Sequence, residues 1–445
     1  MKTPRGSGRR STSEFHETRA APTRCLVLYP SMRGKWRRPR DDERALEEAA
    51  ALVRAIDLEI VAEEIVTVRL PKPGAFLGSG QVDGLKGYIA EKDIGLVFLD
   101  TTLSPVQQRN LEKAWKAKVI DRTGLILNIF GARAATREGV LQVEMAALTY
   151  QRSRLVRSWT HLERQRGGLS FVGGPGESQI EIDRRLIDER LARLRKELED
   201  VVRMREQHRG ARRKVPYPIV ALVGYTNAGK STLFNRLTGA RVYADDKLFA
   251  TLDPTMRSID LPSGRRVILS DTVGFISDLP TTLVAAFRAT LEEVIEADVM
   301  VHVRDMSDPD AEAQSEDVIA VLDELGIGEA CRDDRLVEVF NKIDLLDDEA
   351  REHTLATAAR RHDAVAISAV TGEGIDDLHD LVSRRVWNGR QVVDLKVPVT
   401  DGKAISFLYR HGEVLERTDS DTEVAMKVGI EHKDLERFRK MGATG

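Results

Sequence analysis

Cysteine is nearly absent: the chain of 445 residues has two, Cys25 and Cys331, far apart and each beside apolar sequence. A disulfide framework or a cysteine-built metal site is therefore excluded as an organising feature, and reduced thiols in a cytoplasmic protein are expected. No apolar run is long enough to cross a bilayer, so no membrane association is expected. Residues 1–24 lack the apolar core of a signal peptide, residue 2 is Lys2 in place of a myristoylated glycine, and no prenylation cysteine stands at the C-terminus. An excess of charge is also missing, since the formal net charge is −3. That small value hides an uneven distribution. Met1 to Arg24 is rich in Arg and Ser and poor in apolar residues, the composition of a disordered basic tail. What is present, 42% hydrophobic and 31% charged residues, describes a soluble globular chain too long for one core, so two to four domains are expected.

The most informative stretch is Gly224, Tyr225, Thr226, Asn227, Ala228, Gly229, Lys230 and Ser231. It reads G-x-x-x-x-G-K-S, the phosphate-binding loop of nucleoside triphosphatases. Ile219–Val223 before it reads as a buried strand and Ser231–Leu237 after it as a helix, which is the context this motif requires. Glycines let the backbone wrap closely and aim its N–H groups at phosphate oxygens. Lys230 would reach the β- and γ-phosphates, and the Ser231 hydroxyl would hold magnesium.

Upstream, from Arg24, strands and helices alternate: strand Cys25–Tyr29, helix Asp42–Ile56, strand Glu59–Val68, helix Gln81–Glu91, strand Ile94–Leu99, helix Ser104–Ala117 and strand Lys118–Asp121. This alternation predicts a small, mostly parallel sheet covered by helices. Gly78-Ser-Gly80-Gln-Val-Asp-Gly84 departs from the dinucleotide spacing by one residue, and reads as a strand-to-helix turn, with a second nucleotide site as the alternative. Leu141, Met145, Leu148, Leu155, Trp159 and Leu162 then keep a heptad spacing, interrupted by Arg152, and Ile187, Leu191, Leu194, Leu198 and Val201 do the same farther on. Two narrow apolar seams predict an antiparallel helical hairpin. Its tip, Gly167 to Glu177, is dense in glycine, and between Glu144 and Lys214 seventeen Lys/Arg stand against eleven Asp/Glu. The hairpin is either a spacer with solvated arginine faces or a basic probe for a phosphate backbone, with Phe171 available to stack on bases.

Downstream come the remaining parts of a guanine-nucleotide switch, in order. An apolar strand ends in Asp271-Thr272-Val273-Gly274; Asp271 would bind magnesium through water and the Gly274 N–H would face the γ-phosphate. Phe249, Ala250, Thr251, Leu252 and Asp253 lie where the first switch loop belongs. Thr251 is the candidate to complete the magnesium shell, with Thr255 the alternative. Asn341, Lys342, Ile343 and Asp344 give N-K-x-D at a strand end. The Asp344 carboxylate can accept from guanine N1–H and the exocyclic amine, a donor pair adenine lacks, while the Lys342 stem would cover the base. Ser368, Ala369 and Val370 would supply backbone donors for the guanine carbonyl. Together these motifs select GTP. Lys230, Thr251 and Gly274 are the candidates closest to the chemistry.

Phe275 stands where Ras-like switches carry a glutamine that orients the attacking water. Slow intrinsic hydrolysis is therefore expected, with the water placed by another group or a partner. Asn227 matches an asparagine that potassium-stimulated GTPases use toward that ion.

These motifs, with Gly173-Gly-Pro-Gly-Glu-Ser-Gln179 and Asp183-Arg184-Arg185, resemble the HflX family of the Obg–HflX group of GTPases, from about residue 24 to about residue 440. The resemblance implies binding to the large ribosomal subunit and its ribosomal RNA in the GTP state, with hydrolysis stimulated there. It further implies action on stalled or stress-inactivated ribosomes, in some members by separating subunits. It makes the N-terminal α/β domain and the hairpin the ribosomal-RNA-binding parts, with Arg164, Arg166, Phe171, Arg184 and Arg185 of the hairpin the candidate contacts, and assigns magnesium to the threonine at position 251. ATP binding outside the GTPase domain has been linked to the family, and an RNA-remodelling ATPase is the alternative function. The expected fold is α/β: a basic tail (1–23), a parallel α/β domain (24–140), a helical hairpin with basic linker (141–215), a P-loop GTPase domain (216–390) and a small α+β domain (391–445). A monomer is expected.

Overall fold

A computed structural model describes residues 23–32, 41–56, 58–163, 179–212, 217–240, 248–249, 255–262, 264–277, 291–386 and 390–442. The basic tail, the hairpin tip with Arg164, Arg166 and Phe171, and the loop carrying Ala250, Thr251, Leu252 and Asp253 lie outside the described residues.

β1 (Thr23–Met32) is buried along nearly its whole length, as a parallel strand covered on both faces must be. It sits inside a four-stranded sheet of order β2-β1-β3-β4, with β2 Leu58–Val68, β3 Leu96–Leu99 and β4 Lys118–Asp121, all pairs parallel. The connections are the expected helices α1 (Asp42–Arg54), α2 (Ser79–Glu91) and α3 (Pro105–Trp115). Ser104 starts α3 with a capping box, its hydroxyl accepting from Gln107 N–H while the Gln107 side chain accepts from Ser104 N–H. Gly78 is the N-cap of α2 at φ −69°, and Gly80 and Gly84 lie within that helix facing open space. This is a helix start, and none of the three glycines takes the left-handed backbone of a phosphate-wrapping turn.

The helix α4 (Arg122–Arg133) has no counterpart in the sequence reading. It follows β4 without a loop: Asp121 ends the strand and accepts from Gly124 N–H at 2.8 Å as helix cap. Leu125, Ile126, Leu127, Ile129 and Phe130 are all buried, so no polar face marks it by periodicity.

The long helices α5 (Arg137–Glu163) and α6 (Gln179–Arg212) run antiparallel, with Arg137–Glu197, Glu144–Arg190 and Arg152–Asp188 pairing in opposite chain order. Those pairs are largely solvated and stabilise little; Leu141, Leu191 and Leu194 are buried. The hairpin is not free-standing. Val143 and Ala146 join the core beneath the N-terminal sheet, and Tyr150 and Arg154 both reach Asp121 at 2.5 Å.

The second sheet has six strands in the order β10-β9-β8-β5-β7-β6. β5 (Ile219–Gly224), β7 (Arg266–Asp271), β8 (Val299–Asp305), β9 (Leu336–Asn341) and β10 (Ala364–Ala366) are parallel, and β6 (Thr255–Asp260) is the antiparallel edge. The last module, with β11 Arg390–Pro398 and β13 Glu423–Glu431, is a three-stranded antiparallel sheet of order β11-β13-β12. Its edge strand β12 (Gly412–Asp419) was not foreseen, because a charged strand reads as loop. A single buried cluster joins the first two sheets: Cys25, Phe98 and Phe130 pack with Tyr225, Phe249 and Phe275, and the Phe130 and Phe249 rings meet edge to face at 4.7 Å. Among the described residues no helix is long and apolar enough to cross a membrane.

Candidate nucleotide site

The phosphate loop leaves the C-terminal end of β5, with parallel neighbours on either side, and enters α7 (Lys230–Thr238), the crevice where open α/β sheets bind ligands. Two glycines are required by space. A Cβ on Gly224 (φ +149°) would lie 2.3 Å from the Val303 carbonyl oxygen, and one on Gly229 (φ +93°) 2.3 Å from Asn341 Nδ2. The buried Lys230 ammonium donates to the carbonyls of Gly224 (3.0 Å) and Tyr225 (2.6 Å). Burial pulls its pKa down to about 8, opposed by the nearby Asp271 carboxylate. Ser231 Oγ donates to Asp271 Oδ2 at 2.7 Å, so a hydroxyl and a carboxylate stand side by side, the hard-oxygen donors magnesium takes.

The second switch lies against this loop. Phe275 N–H donates to the Gly224 carbonyl (3.1 Å) and the Phe275 carbonyl accepts from Thr226 N–H (2.8 Å). A Cβ on Gly274 would fall 2.8 Å from Thr226 Cγ2 and 3.0 Å from Lys230 Nζ. Thr272 Oγ1 donates to the Leu222 carbonyl at 2.5 Å and Val273 is buried. The Phe275 ring is fully buried in the shared core, so it takes no part in holding water. Phe249 is likewise buried. Thr255, the alternative to Thr251, begins β6 directly opposite Asp271 in the ladder.

At the base end the structure shows which residues hold the frame. Asn341 is buried: Nδ2 donates to the Ala228 carbonyl (2.8 Å) and Oδ1 accepts from Ala369 N–H (3.0 Å). It therefore ties the phosphate loop to the Ser368–Val370 loop. Of the backbone donors assigned to the guanine carbonyl, Ala369 N–H is held by Asn341 and Ser368 N–H by the Glu373 carbonyl. Tyr225 belongs to the phosphate loop. Its hydroxyl points away from the phosphate loop to Glu48 (2.5 Å) and Ser277 (2.8 Å), across the junction with the first sheet. Lys342 adopts a left-handed φ of 65° and its ammonium pairs with Asp305 at 2.6 Å. Asp344 stands exposed in the one-turn 3-10 helix Ile343–Leu345, and Val370 is exposed beside the same loop. Asn227 is exposed with a φ of 60°. Arg184 and Arg185 project from α6 into solvent.

Sequence reading also missed His302 in β8. It is buried, its Nδ1 has no hydrogen-bond partner among the described residues, and burial, with the cations Arg304 and Lys230, pushes its pKa down to about 3. The folded protein holds a neutral imidazole while the unfolded chain protonates near pH 6.5. The unfolded state therefore binds more protons below 6.5, and stability falls as pH drops. Between pH 7 and pH 5 this should cost about 2 kcal/mol. The thermal midpoint of wild type should then drop further over that range than that of His302→Gln; parallel drops would dismiss the assignment.

Comparison with known proteins agrees along the chain. Residues 43–131 match a family described as GTP-binding GTPase N-terminal, 133–212 the GTP-binding GTPase middle region, 219–342 the 50S ribosome-binding GTPase, and 354–445 the HflX C-terminal domain. GTPase HflX of Magnetococcus marinus is 50% identical, covering 95% of this chain and 96% of that one. GTPase HflX of Escherichia coli is 42% identical, covering 90% and 92%. Among solved structures, a GTP-binding protein from Sulfolobus solfataricus in complex with GDP aligns with 82% of this chain and 99% of its own, at 22% identity and a TM-score of 0.43. With a GTPase fold and such identity over nearly its full length, the chain belongs to the HflX family of GTP-binding, GTP-hydrolysing proteins.

Proposed function

We propose that this GTPase is a switch that binds the large ribosomal subunit in its GTP state and acts on stalled or stress-inactivated ribosomes, including their separation into subunits. The observation that carries the reading is the arginine-laden hairpin, mounted on the N-terminal sheet by Val143, Ala146 and the Asp121 contacts of Tyr150 and Arg154. A rigid mount suits a probe that must reach a polyanion. Arg184 and Arg185 are exposed on it, and Arg164, Arg166 and Phe171 complete the proposed RNA contacts. The description of the matched GTPase family as 50S ribosome-binding supports the same partner. In this reading the protein is a cytoplasmic monomer, residues 24–215 read RNA, residues 216–390 hydrolyse GTP and residues 391–445 form a third unit.

Within the site, the loop Gly224–Ser231 and Gly274 hold phosphates, Asp344 selects guanine, and Ser231, Thr251 and (through water) Asp271 hold magnesium, which when bound neutralises phosphate charge. The exposed Asn227 is assigned to potassium.

GTP hydrolysis measured with and without purified large subunits tests the proposal. Strong stimulation, lost at high salt or on deleting residues 167–179, is expected; no stimulation would remove the ribosome as partner. Repeating the assay in sodium in place of potassium should lower the rate, and equal rates would sink the role of Asn227.

A further inference from the structure

Three side chains of the N-terminal unit converge on the nucleotide domain: Glu48 from α1, Asp100 just beyond β3, and Arg122 at the start of α4. Arg122 is buried and every one of its N–H groups has an acceptor. Nη1 bonds both Asp100 oxygens (2.7 and 2.9 Å), Nη2 bonds Glu48 Oε1 (2.6 Å) and the Ser277 carbonyl (2.9 Å), and Nε bonds the same carbonyl (3.2 Å). Ser277 is 155 residues away in sequence and three residues past Gly274. The Tyr225 hydroxyl closes the bridge. It donates to Glu48 Oε2 (2.5 Å), accepts from Ser277 N–H (3.0 Å) and lies 2.8 Å from Ser277 Oγ.

We propose that Arg122 and Glu48 are positioning residues for GTP hydrolysis, holding the second switch at the phosphate loop from outside the nucleotide domain. With Phe275 buried, no side chain at that position aligns the reaction, so alignment falls on the switch backbone around Gly274. Just past Gly274 that backbone is fixed first by the Phe275 bonds to Gly224 and Thr226, and two residues later by the Ser277 bonds to Arg122 and Tyr225. Removing the second anchor frees the segment by an ångström or so, enough to lower a rate by tenfold or more on the order of magnitude seen for misplaced groups. A guanidinium is required: a lysine has at most three donors from one point and cannot serve Asp100, Glu48 and a carbonyl together. The same bridge gives a shift of the N-terminal unit a physical route to the hydrolytic site.

The inference rests on the GTPase activity of the family and not on the ribosome as partner. The test is kcat, KM and GDP affinity of the full chain carrying Arg122→Lys, Glu48→Ala, Glu48→Gln or Tyr225→Phe, with the melting temperature of each. Arg122→Lys and Glu48→Ala should lower kcat by about tenfold, with KM and GDP affinity little changed. Glu48→Gln, which keeps an acceptor for Arg122 and a partner for Tyr225, should recover most of the rate. Tyr225→Phe should fall between. An unchanged or raised kcat in Glu48→Ala would overturn the proposal, as would a kcat loss matched by an equal loss of GDP affinity. Should Arg122→Lys fail to fold, Glu48→Ala and Tyr225→Phe, which leave the Arg122–Asp100 pair in place, decide it by the same readings.

Discussion

Lys230→Ala is expected to reduce GTP turnover by about two to four orders of magnitude, through loss of both triphosphate affinity and charge stabilisation. The ammonium is buried at the base of the phosphate loop and is drawn onto the Gly224 and Tyr225 carbonyls at 3.0 and 2.6 Å. Its charge is uncomfortable there, as its lowered pKa shows, and an incoming phosphate would relieve the desolvation. Alanine removes this positive charge and takes one donor from each of two buried carbonyls, which keep only the N–H bonds of Phe275 and Ala228, so the loop itself loosens. Steady-state hydrolysis together with fluorescent-GDP titration measures both consequences. Turnover near wild type would show that the loop is not where the reaction occurs, and ATP turnover surviving the substitution would point to a second nucleotide site in the N-terminal unit.

Asp344→Asn should weaken GTP by about a hundredfold or more and raise the affinity for xanthine nucleotides. An asparagine presents a donor where the carboxylate only accepted, which suits the xanthine carbonyl and leaves the guanine amine unpaired. The effect should be one of specificity and not of stability. Asp344 is exposed, whereas the frame around it is held by Asn341 bonding to Ala228 and Ala369 and by Lys342 pairing with Asp305. Competition between GDP and XDP, with a melting curve as control, gives the answer; unchanged GTP affinity would refute the assignment of the base pocket.

Features set by neighbours in sequence were legible without the fold. The strand–loop–helix around Gly224 to Ser231, the helix start at Ser104 and the antiparallel pair α5 and α6 all rest on hydrogen bonds or apolar spacing within a few turns of chain. What was missed has a physical reason in each case. α4 is buried almost all round, so it has no amphipathic period, and β12 is a charged edge, so it has no apolar alternation. Asn341 is legible as part of a base-reading motif, but that its amide also ties two loops together shows only in the fold.

By itself, then, the sequence determined the nucleotide chemistry. Glycine spacing, one lysine, one serine and two acidic motifs specify a phosphate cradle and a guanine reader wherever the local backbone closes. Only the tertiary structure decided how that site is supported. Tyr225 could have faced the nucleotide; it faces Glu48, because the N-terminal sheet brings a carboxylate to its hydroxyl. Arg122, Asp100 and Glu48 are ordinary charged residues in the linear chain, and they become a bridge to Ser277 only when two separately built sheets share one core. Such pairings depend on where distant segments are packed, and no local spacing encodes that.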